Sequence, residues 1–238
     1  MNDNTDILAR LRRDLAAAAD PATLAGGPRF FKEPVRLYGV KTARVHAIAK
    51  EYLKELQTLD KQAVFALCDG LWASGWLEES FIACDWAFAR RAQFEPPDLD
   101  DFERWLGEHV SNWASCDTLC NHTVGALLES FPALLPRLKG WCASPSRWLR
   151  RGAAVSLILP ARKGLFHKEI FAIAETLLED EDDLVRKGYG WLLKVASEAD
   201  RAAVFDFVMA RRDRMPRVAL RYAVEKMPPD LRARAMGK

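Results

Sequence analysis

The sequence predicts an all-α protein built from successive antiparallel pairs of helices. Apolar residues recur with a helical period, for example at Val45, Ile48, Tyr52 and Leu56, with charged residues between them. No segment shows the sustained alternation of apolar and polar residues that is typical of a β-strand. Prolines separate the helical segments at Pro96-Pro97, Pro132, Pro145, Pro160, Pro216 and Pro228-Pro229.

The individual helices follow from these periodic segments and their breaks. The segment 81–88 is apolar nearly all round, as expected of an inner helix, and the segment 165–178 carries one apolar stripe. Ser146, after Pro145, is a candidate N-cap. The predicted helices span residues 4–19, 41–57, 60–73, 78–92, 98–110, 115–129, 131–139, 146–159, 165–179, 182–196, 200–212, 216–226 and 228–236.

The spacing of these helices predicts how they are organised. Helix pairs recur about every 35–40 residues, which favours stacked repeats of the HEAT or armadillo kind over one four-helix bundle. We therefore expect residues 1–238 to form a single domain, a HEAT-like helical-repeat solenoid. Residues 1–27 are expected to form an N-terminal capping helix and a connector.

The composition is that of a soluble globular protein, with 50% hydrophobic and 29% charged residues. No apolar run approaches the ~18–20 residues that a membrane span needs. The N-terminal segment is amphipathic and charged and lacks the apolar core of a secretory signal. We expect a cytoplasmic protein with no membrane partner.

Five cysteines are present, an odd number without the spacing of a disulfide framework. Four of them lie in apolar helical segments, which predicts buried thiols. Cys116, Cys120 and His122 are close in sequence, but no fourth ligand stands at a recognisable spacing. We therefore expect no metal.

Charge is segregated along the chain although the net charge is only +2. Residues 137–168 contain eight Lys or Arg and no acid, and a second basic cluster spans residues 211–221. The segment 98–108 holds five acids and one Arg. This pattern indicates either a face that meets a polyanion or a set of solvated helix faces, and the sequence leaves both open.

Several catalytic and cofactor-binding motifs are absent from the sequence. It contains no GxxxxGK[ST] phosphate loop, no GxGxxG turn, no HExxH and no GxSxG. The sequence therefore lacks the motifs that would indicate an ATPase, a nicotinamide-dependent enzyme or a zinc hydrolase. We expect no nucleotide cofactor and no other cofactor.

Five short motifs follow one another in a recognisable order. They are Leu37-Tyr38-Gly39-Val40-Lys41-Thr42, Leu71-Trp72 with Glu78-Glu79, Trp113 with Asp117, Trp148-Leu149-Arg150-Arg151, and Lys187-Gly188-Tyr189-Gly190-Trp191. With these motifs in this order, the sequence resembles the bacterial DNA alkylation-repair glycosylases of the AlkD type. One departure is that Asn112 and Ala114 stand where that family often has an aromatic residue and an acid.

The resemblance implies a function and a site. The protein would be a monofunctional glycosylase that removes 3-methyl- or 7-alkylpurines from double-stranded DNA, with no strand-cleaving step. Its site would contain Trp113, Asp117, Arg151 and Trp191. Further contacts to the DNA backbone are expected from Arg147, Arg150, Arg162, Lys163, Lys187 and Lys194. A monomer is expected.

Physical chemistry makes this set of residues reasonable. An alkylated purine carries a positive charge, which aromatic faces such as those of Trp113 and Trp191 attract. The departing base is a good leaving group, so no general acid is needed. Asp117 can stabilise the oxocarbenium-like transition state, and Arg151 can bind a phosphate with two hydrogen bonds.

Other interpretations remain open at this point. Each Trp can be core, Asp117 can be a cap or a solvated acid, and Arg151 can be a surface cation beside an acid. At the level of function, the alternative is a non-catalytic helical-repeat module that binds unusual DNA structures or a protein partner.

Overall fold

A computed structural model describes residues 3–237. The described chain is all-α, as predicted, and it divides between Leu119 and Cys120 into two compact units. Residues 1, 2 and 238 of the predicted domain lie outside the described range. Each unit is built from helices that pack against their neighbours along the chain.

The first unit is built around three consecutive helices that pack together. Its helices are α1 (Asp3–Ala17), α2 (Pro21–Gly26), α3 (Thr42–Leu56), α4 (Lys61–Trp72), α5 (Leu77–Ala89), α6 (Asp98–Arg104) and α7 (Trp113–Thr118). The predicted stripe on α3 is confirmed, since Val45, Ile48, Tyr52 and Leu56 are buried. Helix α5 packs against both α3 and α4, and its buried residues lie on several sides of the helix.

Helix α4 illustrates how a capping residue begins a helix of this unit and how aromatic side chains pack it in place. The side chain of Asp60 caps it by accepting a hydrogen bond of 2.7 Å from the backbone N–H of Ala63. An aromatic cluster forms along one side of the helix, where Trp105 packs against Phe65 and against Trp72, two turns apart on α4. Large aromatic side chains bury extensive apolar area, which stabilises a core.

The second unit is organised around one long helix, α13. Its helices are α8 (Gly125–Ser130), α9 (Arg137–Cys142), α10 (Arg147–Val155), α11 (Ile158–Arg162), α12 (His167–Thr176), α13 (Asp183–Ala199), α14 (Arg201–Arg211), α15 (Arg217–Ala223) and α16 (Pro229–Met236). Helix α13 packs against α10, α11, α12, α14 and α15. Asp182 caps α13 and Asp200 caps α14, as acidic residues do before helices.

Most predicted helices are present, with differences in a few places. The connector expected at the end of residues 1–27 is instead helical: Pro21–Gly26 form α2, and a 3-10 turn, Gly27–Phe30, follows it. Asp20 caps α2 with its side chain, and Pro21 occupies the first helical position, where a missing N–H costs nothing. The predicted helix 115–129 begins earlier, at Trp113, and contains a π-helical stretch, Leu119–Val124.

The predicted helix 146–159 is wrong in its second half. Helix α10 ends at Val155, and α11 begins at Ile158. Pro160, expected to separate helices, lies within α11 instead. It occupies the first turn of that helix, whose N–H groups have no intrahelical partner. Ser146 stands at the N-cap of α10, as predicted, but its side chain makes no capping hydrogen bond.

All five cysteines are buried and none forms a disulfide. The prediction of buried thiols is confirmed and extends to the whole set. Burial raises the pKa of Cys142 to about 11, and it also raises the pKa of Cys68 above its ordinary value.

Candidate functional site

Trp113 is the first residue of α7, and its side chain is half-buried. The preceding Asn112 caps the helix by accepting a hydrogen bond of 2.9 Å from the backbone N–H of Ser115. The Trp113 indole N–H donates to the backbone carbonyl of Phe30 at 3.1 Å. The ring of Phe31 stacks on the indole, with the centroids 5.7 Å apart. Trp113 is therefore a held, partly exposed aromatic residue and not a core residue.

Asp117 lies one turn after Trp113 on the same helix and is also half-buried. A spacing of four residues places both side chains on one face of α7, as the sequence predicted. The π-helical stretch Leu119–Val124 begins two residues later. An indole and a carboxylate that share a helix face can act together on a cationic group.

The motif at residues 37–42 is held in place by Glu78. Its buried carboxylate accepts hydrogen bonds from the backbone N–H groups of Tyr38, Gly39 and Val40, at 3.1, 2.8 and 3.1 Å. Gly39 has φ +85°, a conformation that glycine adopts without strain. Hydrogen bonds therefore join this motif to Glu78, and we call residues 37–42 together with Glu78 the Glu78 latch.

Glu79 supports the latch from the next position on α5. Its carboxylate accepts a hydrogen bond of 2.7 Å from the Tyr38 hydroxyl and binds the guanidinium of Arg12. Burial, followed by the hydrogen bond to Glu79, raises the pKa of Tyr38 above its ordinary value. The phenol therefore stays protonated and continues to donate.

Arg151 lies on α10 and is only 5% exposed. The alternative of a surface cation is therefore wrong. One guanidinium nitrogen donates to the backbone carbonyl of Leu184 on α13. The side chain runs across Gly188, where an added Cβ would stand 3.3 Å from the Arg151 Cγ. Gly188 thus leaves the space that this arginine occupies.

Gly190 has a related role on the side of α13 that faces α15. A Cβ at this position would stand 2.8 Å from the Cβ of Tyr222 and 2.9 Å from the carbonyl oxygen of Ala219. Between the two glycines, Tyr189 is fully buried and donates to the carbonyl of Leu178 at 2.8 Å. The motif at residues 187–191 is therefore mainly a packing motif that ends in one partly exposed aromatic residue, Trp191.

The predicted site residues thus fall into two groups. Trp113 and Asp117 share α7 of the first unit. Arg151 and Trp191 lie on α10 and α13, two helices of the second unit that pack against each other.

Three of the predicted cations in the second unit are engaged by the fold itself. Besides Arg151, Arg150 binds Asp180 at 2.7 Å and donates to the carbonyls of Ser144 and Pro145, with its side chain 20% exposed. Lys194 pairs with Glu225 at 3.2 Å and its side chain is 16% exposed. These contacts tie neighbouring elements of the unit together.

The other four cations are more accessible. Arg162 and Lys163 follow each other at the end of α11, with side chains 57% and 60% exposed. Arg147 pairs with Asp182, and Lys187 pairs with Asp183 one turn earlier on α13. Exposed ion pairs are weak, so a phosphate can compete for these cations.

The sequence analysis missed the segment from Pro28 to Lys32. Phe30 is 75% exposed and Phe31 stacks on Trp113. Arg29 and Lys32 flank this aromatic pair and are exposed. Two consecutive phenylalanines between basic residues, shortly after Gly26-Gly27-Pro28, were a signal in the sequence, because an apolar pair in a connector does not belong to the apolar stripe of a helix.

Residues 3–237 contain neither a cluster of metal ligands nor a helix that could span a membrane. No group of three His, Cys, Asp or Glu side chains there is arranged to hold a metal ion, and this includes the neighbourhood of Cys116, Cys120 and His122. Within the same range, every helix is too short or too polar to cross a bilayer.

A family model and a solved structure that match this chain are both described as DNA alkylation repair enzymes. Residues 11–227 match the family described as DNA alkylation repair enzyme. A solved structure, described as a predicted DNA alkylation repair enzyme from Enterococcus faecalis, superposes with a TM-score of 0.80 at 17% identity. The match covers 89% of this chain and 97% of the other. At that identity the likeness shows the fold. No curated protein sequence matches significantly.

Proposed function

Because the chain belongs to the DNA alkylation repair enzyme family, we propose that it is a DNA glycosylase for cationic alkylated purines in duplex DNA. The reaction is hydrolysis of the N-glycosidic bond, as the first step of base excision repair. One observation carries the proposal. Trp113 and Asp117 lie one turn apart on one helix, both partly exposed, with the indole held at its edge and on one face.

The indole suits a cationic substrate. Its face attracts positive charge, by ~0.5–2 kcal/mol depending on how far water is excluded. A purine alkylated at N3 or N7 is cationic before bond cleavage, and cleavage leaves the sugar with oxocarbenium character. Trp113 can therefore favour such a nucleotide over an unmodified one.

Asp117 is the group that we assign to the chemistry. The bond from C1′ to the base nitrogen breaks, and its electron pair leaves with the base, which becomes neutral. Water then forms a bond to C1′ and gives up one proton. A carboxylate beside C1′ stabilises the developing positive charge and can orient this water and accept its proton. No acid is needed to protonate the leaving base.

The second unit is proposed to bind the DNA backbone. Arg162 and Lys163 are the most exposed of the predicted cations, followed by Arg147 and Lys187. Contacts from these four to phosphates would give affinity that depends on salt and not on sequence. Arg150, Arg151 and Lys194 would first have to give up bonds inside the fold, so we assign them to supporting their helices. Trp191 is proposed as a second aromatic contact.

The test is release of free 7-methylguanine or 3-methyladenine from methylated duplex DNA. We expect release by the wild type and none by Asp117→Asn, with DNA affinity retained. Asp213→Asn is the matched control, since its side chain is 94% exposed, and it should keep full activity. If the wild type binds DNA but releases no base, the glycosylase is excluded and the non-catalytic DNA-binding module is favoured. An Asp117→Asn variant with full activity would remove this residue from the mechanism.

A further inference from the structure

Two consecutive residues hold the indole of Trp113 from outside its own helix. The Phe31 ring stacks on its face with an interplanar angle of 27° and a centroid distance of 5.7 Å. The backbone carbonyl of Phe30 accepts a hydrogen bond from its N–H at 3.1 Å. The contact joins positions that are 83 residues apart in the chain, so the local sequence around α7 does not specify it.

These two contacts fix the orientation of the indole. A tryptophan side chain rotates about two bonds, and a hydrogen bond at its edge restrains where the ring can swing. A ring stacked on its face blocks the remaining rotation. Asn112, the neighbour of Trp113 in sequence, has no ring and instead caps α7 and binds the Ser115 hydroxyl at 3.1 Å.

The segment that carries Phe31 is itself anchored. Residues Gly27–Phe30 form a 3-10 turn, and the Phe31 N–H donates to the Pro28 carbonyl at 3.1 Å. An added Cβ at Gly27 would stand 2.5 Å from the Cδ1 of Leu37, so the turn packs closely on that residue. Leu37 is the first residue of the Glu78 latch and directly precedes Tyr38, whose backbone N–H donates to Glu78. The aromatic contact is therefore connected to a fixed part of the unit.

We propose that Phe31 is a positioning residue for Trp113, which keeps the indole in the orientation that meets the alkylated nucleotide. This inference rests on the proposed function for its effect on catalysis, but the contact itself exists in the free protein. Phe31 acts through Trp113 and is not assigned any contact with the substrate.

The first measurement uses the free protein. The indole N–H signal of Trp113 in a ¹⁵N-correlated NMR spectrum is identified by its loss in Trp113→Phe. We expect Phe31→Ala and the milder Phe31→Leu to shift this signal and to speed its hydrogen exchange, because the stacked ring is removed. Phe30→Ala is the matched control and should leave the signal in place, since Phe30 holds the indole through its backbone carbonyl and the residue is 75% exposed. Unchanged signals in both Phe31 variants would overturn the proposal.

The second measurement is the single-turnover rate of 7-methylguanine release at saturating enzyme, with the DNA Kd measured separately. We expect Phe31→Leu to slow release about tenfold, because small displacements of positioning groups carry large rate penalties. The Kd should change less than about twofold, and Phe31→Tyr, which keeps a ring, should restore the rate. A Tyr variant as slow as the Leu variant, or a loss expressed in Kd, would overturn positioning by the ring. If the wild type releases no base, the proposed function fails, and the NMR result alone decides whether Phe31 holds Trp113.

Discussion

Gly190 on α13 lies against Tyr222 on α15 so closely that an added Cβ would stand 2.8 Å from the Tyr222 Cβ. Real Cβ atoms do not approach one another this closely. Because α13 is the helix around which the second unit is built, the absence of a side chain at this position sets the distance between two principal helices of that unit.

Replacing Gly190 by alanine should therefore destabilise the protein. The added methyl group meets backbone and Cβ atoms that cannot rotate away, so α13 and α15 must separate. We expect a loss of ~1–3 kcal/mol in the free energy of unfolding, as for other overpacked sites, measured by urea denaturation. Gly140→Ala on α9 is the control, since an added Cβ there meets no atom within 4 Å. Equal stability of Gly190→Ala and wild type would contradict this account of the packing.

Glu78→Gln tests the latch. The amide keeps the shape of the side chain, but only one of its ends accepts hydrogen bonds, and the charge that strengthens all three bonds is lost. We expect a loss of ~1–3 kcal/mol in stability and faster proteolysis between residues 36 and 42.

Glu51→Gln provides the comparison for the latch, because Glu51 is exposed and pairs with the exposed Arg44. It should change stability by less than ~1 kcal/mol. Proteolysis of the two variants at the same rate would mean that Glu78 does not hold the motif.

The two classes of basic residue in the second unit should respond differently to neutralisation. Arg162→Gln with Lys163→Gln should weaken DNA binding, and the slope of log K against log salt should fall by about 1.8, or about 0.9 per lost phosphate contact. Stability should change little, because both side chains are exposed.

Arg150→Gln should show the opposite behaviour. It removes the pair with Asp180 and two bonds to the carbonyls of Ser144 and Pro145, so stability should fall by ~2–3 kcal/mol, while the salt slope stays near that of the wild type. Fluorescence anisotropy with duplex DNA over a range of salt concentrations measures the slopes. A larger slope change in Arg150→Gln than in the double variant would reverse the assignment.

Glu175 on α12 should contribute to the pH dependence of stability. Hydrogen bonds from Arg211 first, and from Arg214 as well, hold the pKa of its carboxyl below the ordinary value. A carboxyl with a lowered folded-state pKa stabilises the protein above its unfolded pKa, and that contribution is lost as pH falls through the folded value. Urea titrations between pH 7 and pH 3 should therefore show a shallower loss of stability in Glu175→Gln than in the wild type. The exposed Glu181→Gln should follow the wild type, and identical profiles for all three proteins would exclude this role.

The helices were predictable because their signals are local. The stripe on α3 and the placement of Trp113 and Asp117 on one turn follow from spacing alone. Asp20 before Pro21 was also a local signal, and α2 could have been predicted from it.

Other features depend on contacts between residues far apart in sequence. Arg150 and Arg162 look alike in the sequence, but Arg150 binds Asp180 at 2.7 Å and its side chain is 20% exposed, whereas Arg162 only approaches Glu198 at 3.9 Å and its side chain is 57% exposed. In the same way, Phe31 contacts Trp113 although neither segment's local sequence predicts that contact. A sequence can indicate that a residue is basic or aromatic, but the fold decides whether it remains available.

The burial of all five thiols has a practical consequence for studying this protein. Reagents such as maleimides react with accessible thiolates, and the raised pKa values of Cys68 and Cys142 together with their burial keep these groups unreactive. A cysteine introduced at an exposed position such as Lys54 can therefore be labelled alone, without first removing the native cysteines. Two probes placed in this way, at a pair of exposed positions, can report a distance within the protein in solution while its native core remains unchanged.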